Sequence, residues 1–287
     1  MNSNEKLVVA AVAILAIYFG IRAALMFVPA MFSKASDKTV SDTVSLKAFD
    51  SIKTDVASVN TYIERGDSYS LEYHVREDYV PEISEENGKL TVKQPSVFNI
   101  GIINPFDNEE QYYKITVPED ADILEANLNS SSGTLRVDCV DIAGKVDISS
   151  GDVELVDIRS KELDLHATSG SMKLSNVSMD TTTVNLTSGR VVLDDCTTDE
   201  IKVDLTSGHF ECRDFEFSKG DFEATSGTID IEAKGNEDDY SYDMKASSGS
   251  IRIGDLKVDD SYKTDSDKEK EIRCRVHSGT FKISFTD

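Results

Sequence analysis

The dipeptide Ser-Gly recurs through the second half of this chain, at Gly133, Gly151, Gly170, Gly189, Gly208, Gly227, Gly249 and Gly279. A serine precedes each glycine, and the gaps are 18, 19, 19, 19, 19, 22 and 30 residues. A period near twenty is the signature of a repeat architecture, in which every unit leans on its neighbours.

Aligned on the glycines, the positions five before, two after and four after are apolar in all eight units. In the Gly189 unit they are Val184, Val191 and Leu193. Three before glycine, seven of eight are apolar, with Ser130 the exception. Polar residues such as Asn185 and Thr187 lie between them. Alternation with period two means strands with one buried face. Each unit therefore reads as strand, Ser-Gly bend, strand, corner. One unit alone cannot bury its apolar side; stacked units can. The expected fold is all-β, a parallel β-solenoid of about eight regular coils over residues 126–287, roughly 38 Å long at about 4.8 Å per coil. Val191 would lie on Phe210, and Leu193 on Cys212. Glycine suits the bend because it accepts positive φ and has no Cβ. The Ser and Thr hydroxyls beside it are expected to form ladders.

The rest of the chain divides by composition. Residues 1–6 are a short tail. Residues 7–32, LVVAAVAILAIYFGIRAALMFVPAMF, carry one charge, Arg22. As a helix they would span roughly 39 Å, enough for a bilayer core of about 30 Å. They are expected to be an uncleaved transmembrane signal anchor, with the membrane as a partner. A cleaved signal peptide is the alternative. Residues 33–46 are small and polar and read as a tether. Residues 47–125 alternate without the Ser-Gly beat and read as irregular N-terminal coils or a cap.

The 287 residues carry a net charge of −23. That excludes a nucleic-acid partner, which would need clustered Lys and Arg against phosphate. His74, His166, His209 and His277 occupy unrelated repeat positions, and no hydrolase, P-loop or dinucleotide motif is present. The chain reads as non-enzymatic, with no cofactor.

The segments FDSIKTDVASVNTYIERGD, NGKLTV, YYKITVPEDADILEANLNSSSGTLRVD and DISSGDVEL resemble a bacterial adhesin-like family (domain of unknown function 4097), often membrane-anchored. The resemblance covers about residues 47–287. It implies a cell-surface body and no catalytic residues. The leading function is therefore adhesion or envelope binding, to a surface protein, glycan or wall polymer, with the body extracellular. The alternative is an accessory or regulatory scaffold of an envelope-stress system, acting on a membrane partner, since some family members resemble such proteins.

A few positions stand out. Six residues after glycine come Asp157, Asn176, Asp195, Asp214 and Asp255. These are either turn-formers at a corner or a ladder for a hard cation. Cys212 falls on an inward position and Cys196 in an inward slot, out of register for a disulfide. Cys139 falls outside and is the thiol expected to react. The run from Gln94 to Tyr113 holds an apolar stretch, Val97 to Phe106, that reads as a buried turn of the cap or as a partner loop. Lys257 to Glu271 read as a solvated arm. The last strand, with Phe281, Ile283 and Phe285, is expected to end the rod as an uncovered edge for self-association.

Overall fold

The computed structural model describes residues 38–96, 109–264 and 268–286. The expected anchor at 7–32 and the apolar stretch 97–106 lie outside the described residues. Among the described residues, no helix is long and apolar enough to cross a membrane. The described chain is almost entirely β-strand.

The stacking expected from the period is observed. Val191 pairs with Phe210 and Leu193 with Cys212, in parallel register. Asp152–Ala167 and Ser171–Leu186 pair in parallel along nearly their full length. Each of these long strands carries the second half of one coil through a corner into the first half of the next. The inward positions are sealed: Val184, Val191, Leu193 and Phe210 are all at 0% exposure, as are Leu165, Leu174 and Ile229. Cys196 and Cys212 are buried free thiols. Burial holds the Cys196 thiol up at about 11.

The reason for the repeated glycine needs correction in one respect. None of the repeat glycines has positive φ. What requires glycine is proximity. A Cβ on Gly189 would lie 2.1 Å from the carbonyl oxygen of Gly170, and one on Gly151 would lie 2.1 Å from that of Gly133. Backbone bonds explain why the bends come so close. Ser188 N–H donates to the Thr168 carbonyl at 2.8 Å, and Arg190 N–H to the Gly170 carbonyl at 3.0 Å. The hydroxyl-bearing residues Thr187 and Ser188 are exposed, so the ladder through the bend is made by the backbone.

Coil order in space departs from chain order at both ends. The coil carrying Gly279 does not end the rod. Its strand Thr280–Thr286 pairs with Thr228–Lys234 on one side and Ser250–Ile253 on the other. Its strand Lys270–Val276 likewise lies between residues 219–224 and Tyr240–Ala246. The bends follow the order Gly227, Gly279, Gly249. The expected uncovered C-terminal edge is therefore absent at Thr280–Ile283: both sides are paired. The 22-residue gap has its explanation here, since the chain must step over one coil, using Gly235 and a short 3-10 turn at Glu237–Asp239. The arm of the 30-residue gap folds two short antiparallel strands over the end, Leu256–Val258 and Ser261–Lys263.

The N-terminal end mirrors this. Ser51–Val56 lies between Lys89–Lys93 and Leu124–Ser130, and Asn60–Gly66 between Tyr112–Pro118 and Thr134–Asp138. Antiparallel strands Glu82–Glu86 and Ser70–Arg76 cover that end, and Thr39–Ser45 pairs with the latter. Residues 39–45 are thus a strand, not part of a tether, because Val40 and Val44 alternate onto the core. Gln94 closes the row of bends. Its Oε1 accepts from the N–H groups of Ala57 and Ser58 at 2.9 Å and of Val59 at 3.3 Å, where a preceding coil would offer carbonyls.

Natural edges are guarded by charge or brevity. Three glutamates occupy Glu82–Glu86, and the two C-terminal covers have three residues each. Thr39–Ser45 is longer, and its guard is Asp42, opposite buried Tyr73 on the core-facing side. Asp42→Val is expected to let this strand pair between copies and shift the protein from monomer to dimer mass by light scattering. Unchanged mass across a concentration series would refute the guard role.

Candidate functional site

Alternation decides which side chains face out. In Asn60–Gly66, Thr61 and Ile63 are buried, so Tyr62 faces solvent. In Tyr112–Pro118, Tyr113 is buried and Tyr112 faces out. Strand register places Tyr62 beside Lys114 and Arg136, Tyr112 beside His74, and Glu72 beside Lys114. The rings form a row: His74 stacks on Tyr112 at 5.9 Å between centroids, and Tyr112 lies 6.3 Å from Tyr62. The outward positions of the Ser-Gly coils, among the described residues, hold neither tyrosine nor phenylalanine. The aromatic row is confined to this end.

A polar network binds the row to the sheet. The Tyr62 hydroxyl donates to Glu110, which also accepts from the Asn60 amide at 3.0 Å. The Tyr112 hydroxyl donates to Glu72 at 2.6 Å, and Lys114 lies 2.9 Å from the same carboxylate. Arg136 bridges Asp138 at 2.8 Å and Glu154 at 2.5 Å. The ionisations follow. Burial, then the Glu110 carboxylate, pushes the Tyr62 phenol up to about 12. The Tyr112 hydroxyl and Lys114 hold Glu72 below the usual carboxylate range, and the Tyr62 hydroxyl and Asn60 do the same for Glu110. Bonding to Glu72 raises both Tyr112 and Lys114. Perturbed ionisations gathered in one place mark candidate functional sites.

The sign of the pH dependence is fixed by these directions. Glu72 and Glu110, depressed on folding, stabilise above the ordinary carboxylate range and lose that contribution as pH falls through their folded values. Tyr62, raised on folding, stabilises below the ordinary phenol value of about 10 and loses it as pH climbs through about 12. Glu110→Gln is expected to bring the late phenolate absorbance step part of the way back toward pH 10, since burial remains. A step left in place would exclude Glu110 as a partner.

One arrangement in this patch has the outline of a nucleophile site. Ser41 Oγ lies 2.7 Å from His74 Nδ1, and His74 Nε2 lies 3.6 Å from Glu109. Ser41 sits on the outer strand, and Glu109 is 66% exposed, so neither resembles the buried constellation that acyl transfer uses. The other histidines stand apart, each near a carboxylate of its own region: His166 by Asp147, His209 by Glu211, His277 by Glu223.

The corner row is the second feature. Asp157, Asn176, Asp195 and Asp214 all have φ between 48° and 55°. Aspartate and asparagine tolerate this left-handed region better than most residues, which accounts for their recurrence. Cys139, at φ 58°, belongs to the same row. Asp255 does not: it lies in the turn between Ser250–Ile253 and Leu256–Val258, and Gly254 takes the positive φ. Within the row, Asn176 donates to Asp157 at 2.6 Å, and Lys234 reaches Asp195 at 2.7 Å. Ligand atoms of Asp138, Cys139 and Asp157 lie within 4.8 Å of one another. Cys139 is exposed as expected, but its hydrogen bond to Asp138 raises the thiol pKa, which disfavours the reactive thiolate.

The sequence reading singled out the corner and Cys139 but passed over the aromatic row. The signal was present: Tyr62 and Tyr112 occupy the polar phase of their strands.

Comparison with known proteins addresses the whole body. A candidate lipid-binding protein from Parabacteroides distasonis ATCC 8503 superposes with a TM-score of 0.59 at 18% identity, over 88% of this chain and 99% of that one. A candidate adhesin from the same organism gives 0.60 at 16% identity, over 88% and 100%. A candidate adhesin from Bacteroides fragilis NCTC 9343 gives 0.51 at 13% identity, over 88% and 100%. At these identities the likeness shows the fold. No curated protein matches the chain. The sequence profile of the Toastrack DUF4097 family matches residues 49–284, and with the stacked Ser-Gly bends in view, the chain belongs to that family.

Proposed function

We propose that this chain is a non-enzymatic binding protein of the cell envelope, an adhesin tethered through residues 7–32 with its body outside the membrane. Its ligand contact is the outward face carrying His74, Tyr112 and Tyr62. The observation that supports this reading is the confinement of exposed tyrosines to one row on an otherwise charged and hydroxylated surface. Tyrosine offers a large rigid contact with a polar tip, and it is enriched where surfaces meet. The hydrogen bonds from Glu72 and Glu110 hold the rings in place before a ligand arrives, which lowers the ordering cost of binding. Two solved relatives described as candidate adhesins share the fold, which agrees with the reading.

The test is an array of envelope glycans, wall polymers and surface proteins probed with the full chain in detergent. The double variant Tyr62→Ala/Tyr112→Ala is expected to lose binding at least tenfold, while Thr187→Ala/Thr206→Ala at the bends keeps it. Equal binding by both variants would move the contact elsewhere. Protease treatment of intact cells checks the orientation separately: a protected body would overturn the outside placement.

A further inference from the structure

The C-terminal coil fills a slot whose two walls come earlier in the chain. One wall is the Gly227 coil, residues 219–234; the other is the Gly249 coil, residues 240–253. Only afterwards does the chain cover the end with its two short strands and return to insert residues 270–286. We infer that this slot is an exchange site, filled either by the chain's own C-terminal coil or by that of a neighbouring copy.

Three features carry the inference. The filler is an entire coil, joined in parallel register to both walls, so its contacts are the same whichever chain supplies it. Its core side chains, Ile272, Cys274, Val276, Phe281 and Ile283, are 0–2% exposed, so an empty slot leaves two apolar walls and two strand edges open. The connection, residues 254–269, is held to the coils by two antiparallel strands of three residues each. Sixteen residues at about 3.3 Å each reach about 53 Å, enough to cross to an adjacent rod. Exchange of an identical element between copies costs little because no new interface has to be invented. Anchoring in one membrane would hold neighbouring slots at equal height and raise their effective concentration. That last step rests on the proposed anchor; the slot does not.

Glu232 and Ser284 are register partners across the slot, as are Asp230 and Lys282. Adjacent strands bring such pairs within the Cα spacing a disulfide accepts. The experiment uses two differently tagged full-length chains, both carrying Cys139→Ser. One carries Glu232→Cys and the other Ser284→Cys, expressed together and oxidised in membranes. A control chain carries both substitutions and should link to itself. The expected result is a disulfide-joined heterodimer bearing both tags, at least tenfold above a pairing in which the second chain keeps Ser284. Self-linking in the control without any heterodimer would overturn the exchange. The pair Asp230→Cys and Lys282→Cys repeats the test in a second register; if neither pair links even within one chain, the insertion itself is refuted. Fractionation of the same cells reports on the anchor separately, so a soluble chain that still exchanges would sink the anchor and spare the slot.

Discussion

Gly189→Val is expected to destabilise the rod by about 3 kcal/mol or more, whereas Arg190→Val one residue later should change it by less than about 0.5 kcal/mol. The difference follows from what surrounds each side chain. A Cβ at 189 meets the Gly170 carbonyl oxygen at 2.1 Å, and that carbonyl is fixed because it accepts the Arg190 N–H at 3.0 Å. Relief would require parting two coils along the whole bend. Arg190 points outward toward Glu211, an exposed ion pair of the kind worth little. Circular dichroism melts of the two variants decide the matter. Similar melting temperatures would mean that close approach is not what glycine supplies here.

Removal of residues 268–287 should have the larger effect. If the last coil ended the rod, its loss would shorten the stack and leave the rest intact. Inserted between two coils, it takes an interior layer with it. Ile272, Val276, Phe281 and Ile283 are 0–2% exposed, and four such side chains amount to roughly 6–12 kcal/mol of burial. That rivals the whole stability of an ordinary domain, about 5–15 kcal/mol. The truncated chain is expected to lose protease protection from about residue 219 onward, with protection of the earlier coils retained. A truncated protein with a protected 240–253 segment would mean that the Gly249 coil can close directly onto the Gly227 coil.

These two expectations differ in how visible their causes were in the sequence. The strand phase was fully legible, because alternation tells each residue which side it faces: the inward places of Val191, Phe210, Leu193 and Cys212 all follow from it. The identity of each coil's neighbour was not. Every coil offers the same pattern of apolar positions, so a coil that skips its place looks like one that keeps it. The only trace was in the gaps of 22 and 30 residues, which record a step over one coil and an arm around the end. At the other end the first coil lacks the Ser-Gly pair, having Ser58-Val59 at its bend. No coil presses on that bend from beyond; Gln94 does, through a side chain. The candidate site was hidden for a related reason. An aromatic residue in a strand is read first as core, and only the strict phase of Tyr62 and Tyr112 shows that they are not.

The bends have a further consequence. In each of them the N–H groups point toward the preceding coil: Ser150 donates to Ser131, Ser169 to Ser149, Ser207 to Thr187 and Ser226 to Thr206. The inserted coil keeps the same sense, with Ser278 donating to Thr225 and Ser248 to His277. Peptide dipoles aligned head to tail add, as they do along a helix. The row of bends therefore forms an electrical axis, with its positive pole where Ala57, Ser58 and Val59 present their N–H groups and its negative pole at the Gly249 coil. Gln94 meets the positive pole with an uncharged oxygen. A carboxylate in its place would be held ionised to lower pH by the summed dipoles, so the strength of that axis can be read from the ionisation of a single residue.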